Sequence, residues 1–217
     1  MQQHWVTPDT KGKSNMNRRA FFVFCLLLLT SVPAVSQHLS PLETVRNGVE
    51  AGLLILNDPE LKAPHRFDEK QQKLRIILEQ LFDFEVFSRA VLASRWKDFT
   101  PSQQVIFVNV FTEFLSRYYI GKLLERYVDE RVDYLDQTLK SPTRALVNAA
   151  VVWNGRQVPV DLPMIRREGA WKIYEIQVLG ISAASFYRAQ FKYLLSKERP
   201  AQVIERIRQR IQLLESR

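Results

Sequence analysis

WKIYEIQVLGISAASFYRAQF, residues 171–191, decides how this chain is read. From Trp171 to Leu179 apolar and polar side chains alternate with the period of a half-buried strand. After Gly180 the period lengthens to that of a helix, with Ser182 placed to cap it. Gly180, free to take a left-handed backbone, is the position at which the strand is expected to release the chain from its sheet. Phe186, Tyr187, Gln190, Phe191, Tyr193 and Leu194 follow on that helix. A sheet ends here and one of its covering helices begins.

Working back from Trp171, three more strands come into view. Val132–Leu135 reads as a first strand and Thr143–Trp153, rich in Val and Ala, as a second. Asn154-Gly155 carries the signature of a two-residue type I′ hairpin, so Arg156–Arg166 returns as a third. Pro159 and Pro163 point to an edge position or to irregular pairing there. Glu168-Gly169 then turns the chain into Trp171–Leu179, giving four antiparallel strands in meander order.

Helix signals fill the remainder. Ser40, Pro41 and Glu43 form a cap, a first-turn proline and a capping-box acid ahead of Leu42, Val45, Val49, Leu53 and Leu56. Beyond a break at Asn57–Pro64, Asp68 is expected to cap a second helix with Leu74, Ile77, Leu78 and Leu81 inward, and Asp83 a short third containing Phe84, Phe87 and Val91. Thr100-Pro101-Ser102-Gln103 is a second capping box, opening the longest helix, which runs to about Tyr127. Its apolar surface of Phe107, Phe111, Phe114, Leu115, Tyr118, Tyr119, Leu123 and Tyr127 is wider than the stripe of about 100° that packs on one neighbour. Contacts on two sides follow, from two protein layers or from one layer and an apolar ligand. Pro200 opens a last helix with Val203, Ile204, Ile207, Ile211 and Leu214 inward. Helices, then a sheet, then helices make the fold class α+β, an antiparallel sheet of about four strands covered by N-terminal and C-terminal helices.

At the N-terminus, Arg18 and Arg19 precede the apolar run Ala20–Leu29, and small residues follow at Ala34 and Ser36. This is the three-part layout of a secretory signal peptide, expected over residues 1–36 and cleaved, with translation starting at Met1 or Met16. The run is about half the roughly 20 apolar residues of a membrane span. The paired arginines also resemble a twin-arginine export signal, although ordinary export of an unfolded chain is favoured. Cys25, the single cysteine, leaves with this segment, which excludes disulfides, thiolate metal sites and a cysteine nucleophile from residues 37–217. That stretch reads as one domain. Without residues 1–36, which hold four basic and one acidic residue, the net charge falls from +8 to +5. A moderate positive charge in an exported protein favours anionic partners such as lipid headgroups, whereas nucleic acid is not expected in that compartment.

Catalytic constellations are poor. His38 and His65 are the histidines of 37–217, far apart in sequence, so neither a dyad nor a metal cluster is indicated. No nucleophile elbow or Gly-rich phosphate loop occurs. The carboxylate pairs Asp129/Glu130 and Asp133/Asp136 have the alternation of a solvent-facing strand edge. No enzyme, metal or cofactor is expected.

Trp171-Lys172-Ile173-Tyr174-Glu175, Val178-Leu179-Gly180-Ile181-Ser182 and Tyr187-Arg188-Ala189-Gln190-Phe191 together resemble the signature of the MlaC family, also called the toluene-tolerance auxiliary family. Trp96, Thr100-Pro101, Gln103 or Gln104, Phe107, Phe111, Phe114, Leu115 and Tyr118 resemble that family's central helix. The likeness extends over nearly all of 37–217. It departs at Glu175, where the family usually has aspartate, at Leu179, usually glutamate, and at Phe186, usually asparagine.

The resemblance implies a periplasmic phospholipid carrier of the Mla pathway, which maintains outer-membrane lipid asymmetry. Such a protein moves glycerophospholipids between an outer-membrane lipoprotein–porin complex and an inner-membrane ABC transporter, phospholipid being cargo rather than cofactor and a monomer being expected. Acyl chains would lie in an apolar cavity between sheet and helices, lined by Phe107, Phe111, Phe114, Tyr118, Tyr119, Leu123, Ala149, Val151, Tyr174, Ile176, Tyr187 and Phe191. Small Ala149 and Ala150 would leave it room, with Lys122 and Arg188 at the mouth near the headgroup. Two alternatives stay open: a periplasmic adaptor with a filled core and no lipid, and an enzyme on a similar cone-shaped fold, which would need an acid or base in the cavity, such as a buried carboxylate or tyrosine of strongly perturbed protonation.

Overall fold

The computed structural model describes residues 39–128, 130–153 and 155–216. The expected signal peptide, the start of the mature chain at Gln37, His38, and the Asp129 and Asn154 members of the pairs named above fall outside the described residues. Helix α1 spans Pro41–Asn57 and begins with the anticipated capping box, the Ser40 hydroxyl accepting from the Glu43 N–H and the Glu43 carboxylate from the Ser40 N–H. Single 3₁₀ turns at Pro59–Leu61 and Pro64–Arg66 lead to α2, Phe67–Leu81. Asp68 does not cap that helix. The chain enters it directly from the second 3₁₀ turn, and Asp68 and Glu69 lie in its first turn, where carboxylates meet the positive end of the helix dipole.

Helix α3, Phe84–Leu92, is capped as expected by Asp83, whose carboxylate accepts from the Val86 N–H at 3.0 Å. A 3₁₀ stretch at Ala93–Asp98 precedes α4, Pro101–Arg126, with the Thr100/Gln103 capping box in place. Strands β1, Arg131–Ser141, β2, Arg144–Trp153, and β3, Arg156–Arg167, form an antiparallel meander. Trp153 pairs with Arg156, so the loop at Gly155 has the two-residue length that the sequence requires. β1 runs well past Leu135, because its polar second half, Asp136–Lys140, is paired to β2 while facing largely into solvent.

The fourth strand differs from expectation. Trp171–Leu179 is not one strand but β4, Ala170–Ile173, a break at 174–176, and β5, Gln177–Val178. Met164 opposes Ile173 while Asp161 opposes Gln177, so one residue is in excess on this side of β3 and bulges out. The prolines of β3 account for it. A residue in a strand directs its N–H and C=O to the same neighbour, and the Pro159 and Pro163 carbonyls accept from Leu179 and Tyr174. Their missing N–H groups therefore face the fourth strand, which pairs only in pieces, while the ladder to β2 is unbroken. β3 is irregularly paired, and it is not an edge.

Nor does Gly180 release the chain. Leu179 and Gly180, at φ of 53° and 75°, make a tight turn that brings back a two-residue strand β6, Ile181–Ser182, against β5. Helix α5, Ala183–Leu195, starts immediately after, and α6, Pro200–Glu215, completes the chain. Glu175, inside the break, ties this corner together: its carboxylate accepts from the Ile176 N–H, the Ala184 N–H and the Ser182 hydroxyl at 2.9, 3.1 and 2.7 Å. The Ser182 oxygen in turn accepts from the Ser185 N–H as the cap of α5.

One face of the sheet, carrying Ala145, Val147, Leu162, Met164, Trp171 and Ile173, is buried in a single core with the aromatic residues of α3, α4 and α5. Val45 of α1 covers the same face, and the Gln137 side chain of β1 accepts from the Leu42 N–H. Part of the wide apolar surface of α4 is packed on two sides, since Phe107, Phe111 and Leu115 enter this core and Ile120 joins a second cluster with Leu56 and Leu74, whereas Tyr118, Tyr119 and Leu123 stay exposed. No described helix is long and apolar enough to cross a membrane.

Leu179 pays for its left-handed backbone without burying its side chain, which is 65% exposed. Replacing Leu179→Asn gives the Asn-Gly pair that a type I′ turn prefers and should stabilise the protein by about 0.5–1 kcal/mol, read as a raised urea midpoint at unchanged m-value.

Candidate functional site

Five aromatic rings from three helices meet over the sheet. Phe111 of α4 lies edge-to-face against Tyr187 and Phe191 of α5, with centroids 5.3 and 5.2 Å away, and parallel to Phe87 of α3 at 6.1 Å. Phe107, one turn earlier, meets both Phe111 and Phe191 at 5.3 Å. Helical spacing builds this layer, because residues four apart, Phe107/Phe111 and Tyr187/Phe191, stand one above the other on facing helices. The Tyr187 and Tyr119 hydroxyls share a hydrogen bond of 2.9 Å at the edge of the layer.

Beside it a pocket of about 350 Å³ opens between α4, α5 and α6. Phe111, Phe114, Tyr187, Phe191, Leu194 and Ile207 supply its apolar wall. Gln190, Tyr193, Arg206 and Arg210 complete the lining with polar groups. A larger concavity, about 750 Å³, lies between α2, α4 and the end of α6, but its lining is dominated by polar and charged side chains. Arg75, Arg117 and Lys122 in it are already paired with Glu79, Glu113 and Glu215, and Glu125. Water suits that groove, and hydrocarbon suits the smaller pocket.

The expected site residues are only partly brought together. Phe111, Phe114, Tyr187 and Phe191 line the pocket, Phe107 is buried behind it, and Tyr118 stacks on Phe114 at 6.0 Å. Tyr119 reaches the pocket wall through Tyr187, whereas Leu123 is exposed farther along α4. Ala149 is buried on β2 opposite Tyr134, and Val151 sits half-buried between Val132 and Val158. Ile176 packs against the core from the break in the fourth strand, but Tyr174 lies under the Arg144 guanidinium, 4.9 Å from ring centre to carbon. Lys122 pairs with Glu125 at 2.6 Å in the polar groove. Arg188 donates twice to the Ala90 carbonyl, at 3.0 and 2.8 Å, and so pins α5 to α3. Neither cation lines the aromatic pocket.

Arg206, Arg210, Leu194 and Ile207 are pocket residues that the sequence does not single out. It does place Arg206, Ile207 and Arg210 on neighbouring positions of an amphipathic helix, but it does not say which helix that face meets. Among the described residues that line the pocket there is no carboxylate or histidine to make an acid–base pair. The buried Asp83 carboxylate is occupied in capping α3 and in pairing with Arg167 at 3.1 Å. Tyr187 is perturbed, its phenol pushed far above the usual tyrosine range by burial and then by the bond to Tyr119. That direction keeps the proton on and suits an inert wall rather than a base. Among the described residues no group of three or more His, Cys, Asp or Glu could hold a metal ion.

A family model described as MlaC protein matches residues 47–209. No curated protein matches the chain. Seven solved chains match. Among them is a phospholipid-binding protein from Ralstonia solanacearum, solved in complex with a phospholipid. It is 24% identical, with a TM-score of 0.69 over 82% of this chain and 99% of its own length. At that identity the likeness is one of fold.

The Tyr187 phenol also carries a pH signature. An unfolded chain ionises its tyrosines near about pH 10, while the folded form holds the Tyr187 proton, so stability present below that pH is lost as pH rises beyond it. Tyr187→Phe should flatten the fall by up to about 1.4 kcal/mol per pH unit above pH 10. At pH 7 the same change should cost about 1 kcal/mol for the lost hydrogen bond, both effects being read from urea unfolding at each pH.

Proposed function

This chain belongs to the MlaC family, whose model spans residues 47–209, and from that membership we propose that it is a phospholipid carrier. Acyl chains occupy the pocket between α4, α5 and α6 and extend toward the aromatic layer over the sheet, while the headgroup stays in water. The observation that carries this reading is the pocket between α4, α5 and α6, lined on its apolar side by Phe111, Phe114, Phe191, Leu194 and Ile207, on a chain of this family. The phospholipid-bound Ralstonia solanacearum protein of the same fold supports it.

Physical chemistry sets the requirements. Two acyl chains carry about 30 methylenes, each worth about 0.8 kcal/mol when kept from water, so an unprotected lipid would cost about 25 kcal/mol to move through an aqueous space. If a methylene needs about the 30 Å³ of a water molecule, both chains need on the order of 900 Å³. The 350 Å³ pocket holds a fraction of that, so loading requires α5 and α6 to move apart, with Phe191 and Leu194 following α5. The turn Ser196–Arg199 between the two helices is the natural hinge, because α6 packs mainly on α4 and not on α5.

The carrier works in the periplasm after removal of a signal peptide and exchanges cargo with an outer-membrane lipoprotein–porin complex and an inner-membrane ABC transporter. Family membership supports those partners and that compartment. The chemistry required is binding and release, and no bond in the lipid is made or broken.

Organic extraction of the purified protein, followed by mass spectrometry, should yield phospholipid. Finding none, together with failure to load any from phospholipid vesicles, would sink the carrier reading and favour an adaptor with a filled core. Leu194→Trp, which fills the pocket from its half-buried wall, should lower retained lipid about tenfold with helix content unchanged by circular dichroism.

A further inference from the structure

The basic residues that meet the aromatic pocket are on α6. Arg206 and Arg210, one turn apart, both line it on either side of Ile207, and no lining residue is a carboxylate. Arg206 is paired with Glu198. Arg210 is exposed and has no ion-pair or hydrogen-bond partner among the described residues. Tyr193, also on the lining, accepts a hydrogen bond from the Lys197 ammonium at 2.6 Å, which adds a third cation nearby. Gln190 supplies an amide donor from α5. The result is a hydrocarbon-lined slot with two arginines in its lining, of which Arg206 is paired with Glu198, and a lysine held beside it by Tyr193.

We propose that this mouth, centred on Arg210, seats the phosphate of an anionic amphiphile whose chains occupy the pocket. The inference rests on the carrier reading and adds to it the anchor that Lys122 and Arg188 do not provide. Chain and charge requirements converge because Ile207 faces the apolar wall while Arg206 and Arg210 flank it. A guanidinium is well matched to a phosphate, since its planar fork can hold two oxygens at once. Arg210 needs no ion pair broken before it binds. Arg206 would have to share itself with Glu198 and acts as support.

The test compares loading of phosphatidylglycerol with that of diacylglycerol, which has the chains but no phosphate, into the wild-type chain, R210Q, R210E and R208E. Arg208 is exposed and pairs with Glu205 away from the pocket, so R208E applies the same change of charge elsewhere on the helix. R210E should weaken phosphatidylglycerol loading about tenfold or more and R210Q about fivefold, with diacylglycerol loading unchanged in both and R208E like the wild type. Inorganic phosphate at the lipid's own concentration should not compete. If it does, the mouth is a free-phosphate site and the amphiphile assignment is overturned. If R210E loads phosphatidylglycerol as the wild type does, or if R208E is equally impaired, the Arg210 anchor is wrong while the carrier reading survives. If the wild type loads neither lipid, both readings fall together.

Discussion

The Glu175 carboxylate is the knot on which the arrangement of helices over the sheet depends. It lies in the break of the fourth strand, where the ladder to β3 is interrupted, and there it accepts from Ile176, Ala184 and Ser182. A buried or half-buried backbone N–H without a partner is costly, so a break in a strand needs such a substitute. Because two of the three donors belong to the start of α5, the carboxylate that repairs the strand also fixes the direction in which the helix leaves. Tyr187 and Phe191 then arrive over Phe111 and Phe107. Arg188, donating to the end of α3 through Ala90, holds the same helix from its other side.

Once α5 is set, the aromatic layer follows from ring geometry. Edge-to-face pairs at 5.2 to 5.3 Å are close to the favoured arrangement of aromatic quadrupoles, so Phe111 is satisfied by Tyr187 and Phe191 together. The layer forms the floor of the pocket, and α6 forms its far wall. Helix α6 rests on α4 through Val203, Ile204, Ile207 and Ile211, which are buried, and leaves its next face to Arg206 and Arg210. An amphipathic helix laid over a cleft necessarily puts charge beside hydrocarbon at its own edge.

Much of this is legible in the residues. The capping boxes at Ser40 and Thr100, the Asp83 cap and the Asn-Gly turn are local signals whose physics does not depend on distant parts of the chain. The fourth strand misleads because alternation from Trp171 to Leu179 is real, yet pairing also requires donors on the partner strand, and Pro159 and Pro163 withhold them. The turn at Leu179 is hidden because leucine at φ 53° violates its own preference. For the site, aromatic spacing on α4 and α5 picks out four of the ten residues that line the pocket, Phe111, Phe114, Tyr187 and Phe191. Spacing within one helix says nothing of which other helix faces it, so α6 is absent from the expected lining. The cations of α4 and α5, Lys122 and Arg188, are held by Glu125 and Ala90, and that too depends on neighbours the local sequence does not reveal.

A lipid carrier faces a constraint that a receptor does not, and the two chemistries of this pocket answer to it differently. Moving hydrocarbon from bilayer to protein exchanges one apolar environment for another, so the roughly 25 kcal/mol that protects the chains from water nearly cancels in each exchange. What remains is small: the cost of parting α5 from α6 and ring contacts worth about 1 kcal/mol each. A single charge-assisted contact at the mouth is of the same order. On that scale one arginine can tilt an exchange that the large hydrophobic term leaves balanced. On the carrier reading, hydrocarbon lining would admit any two-chain lipid, and charge at the rim would favour those with an anionic head.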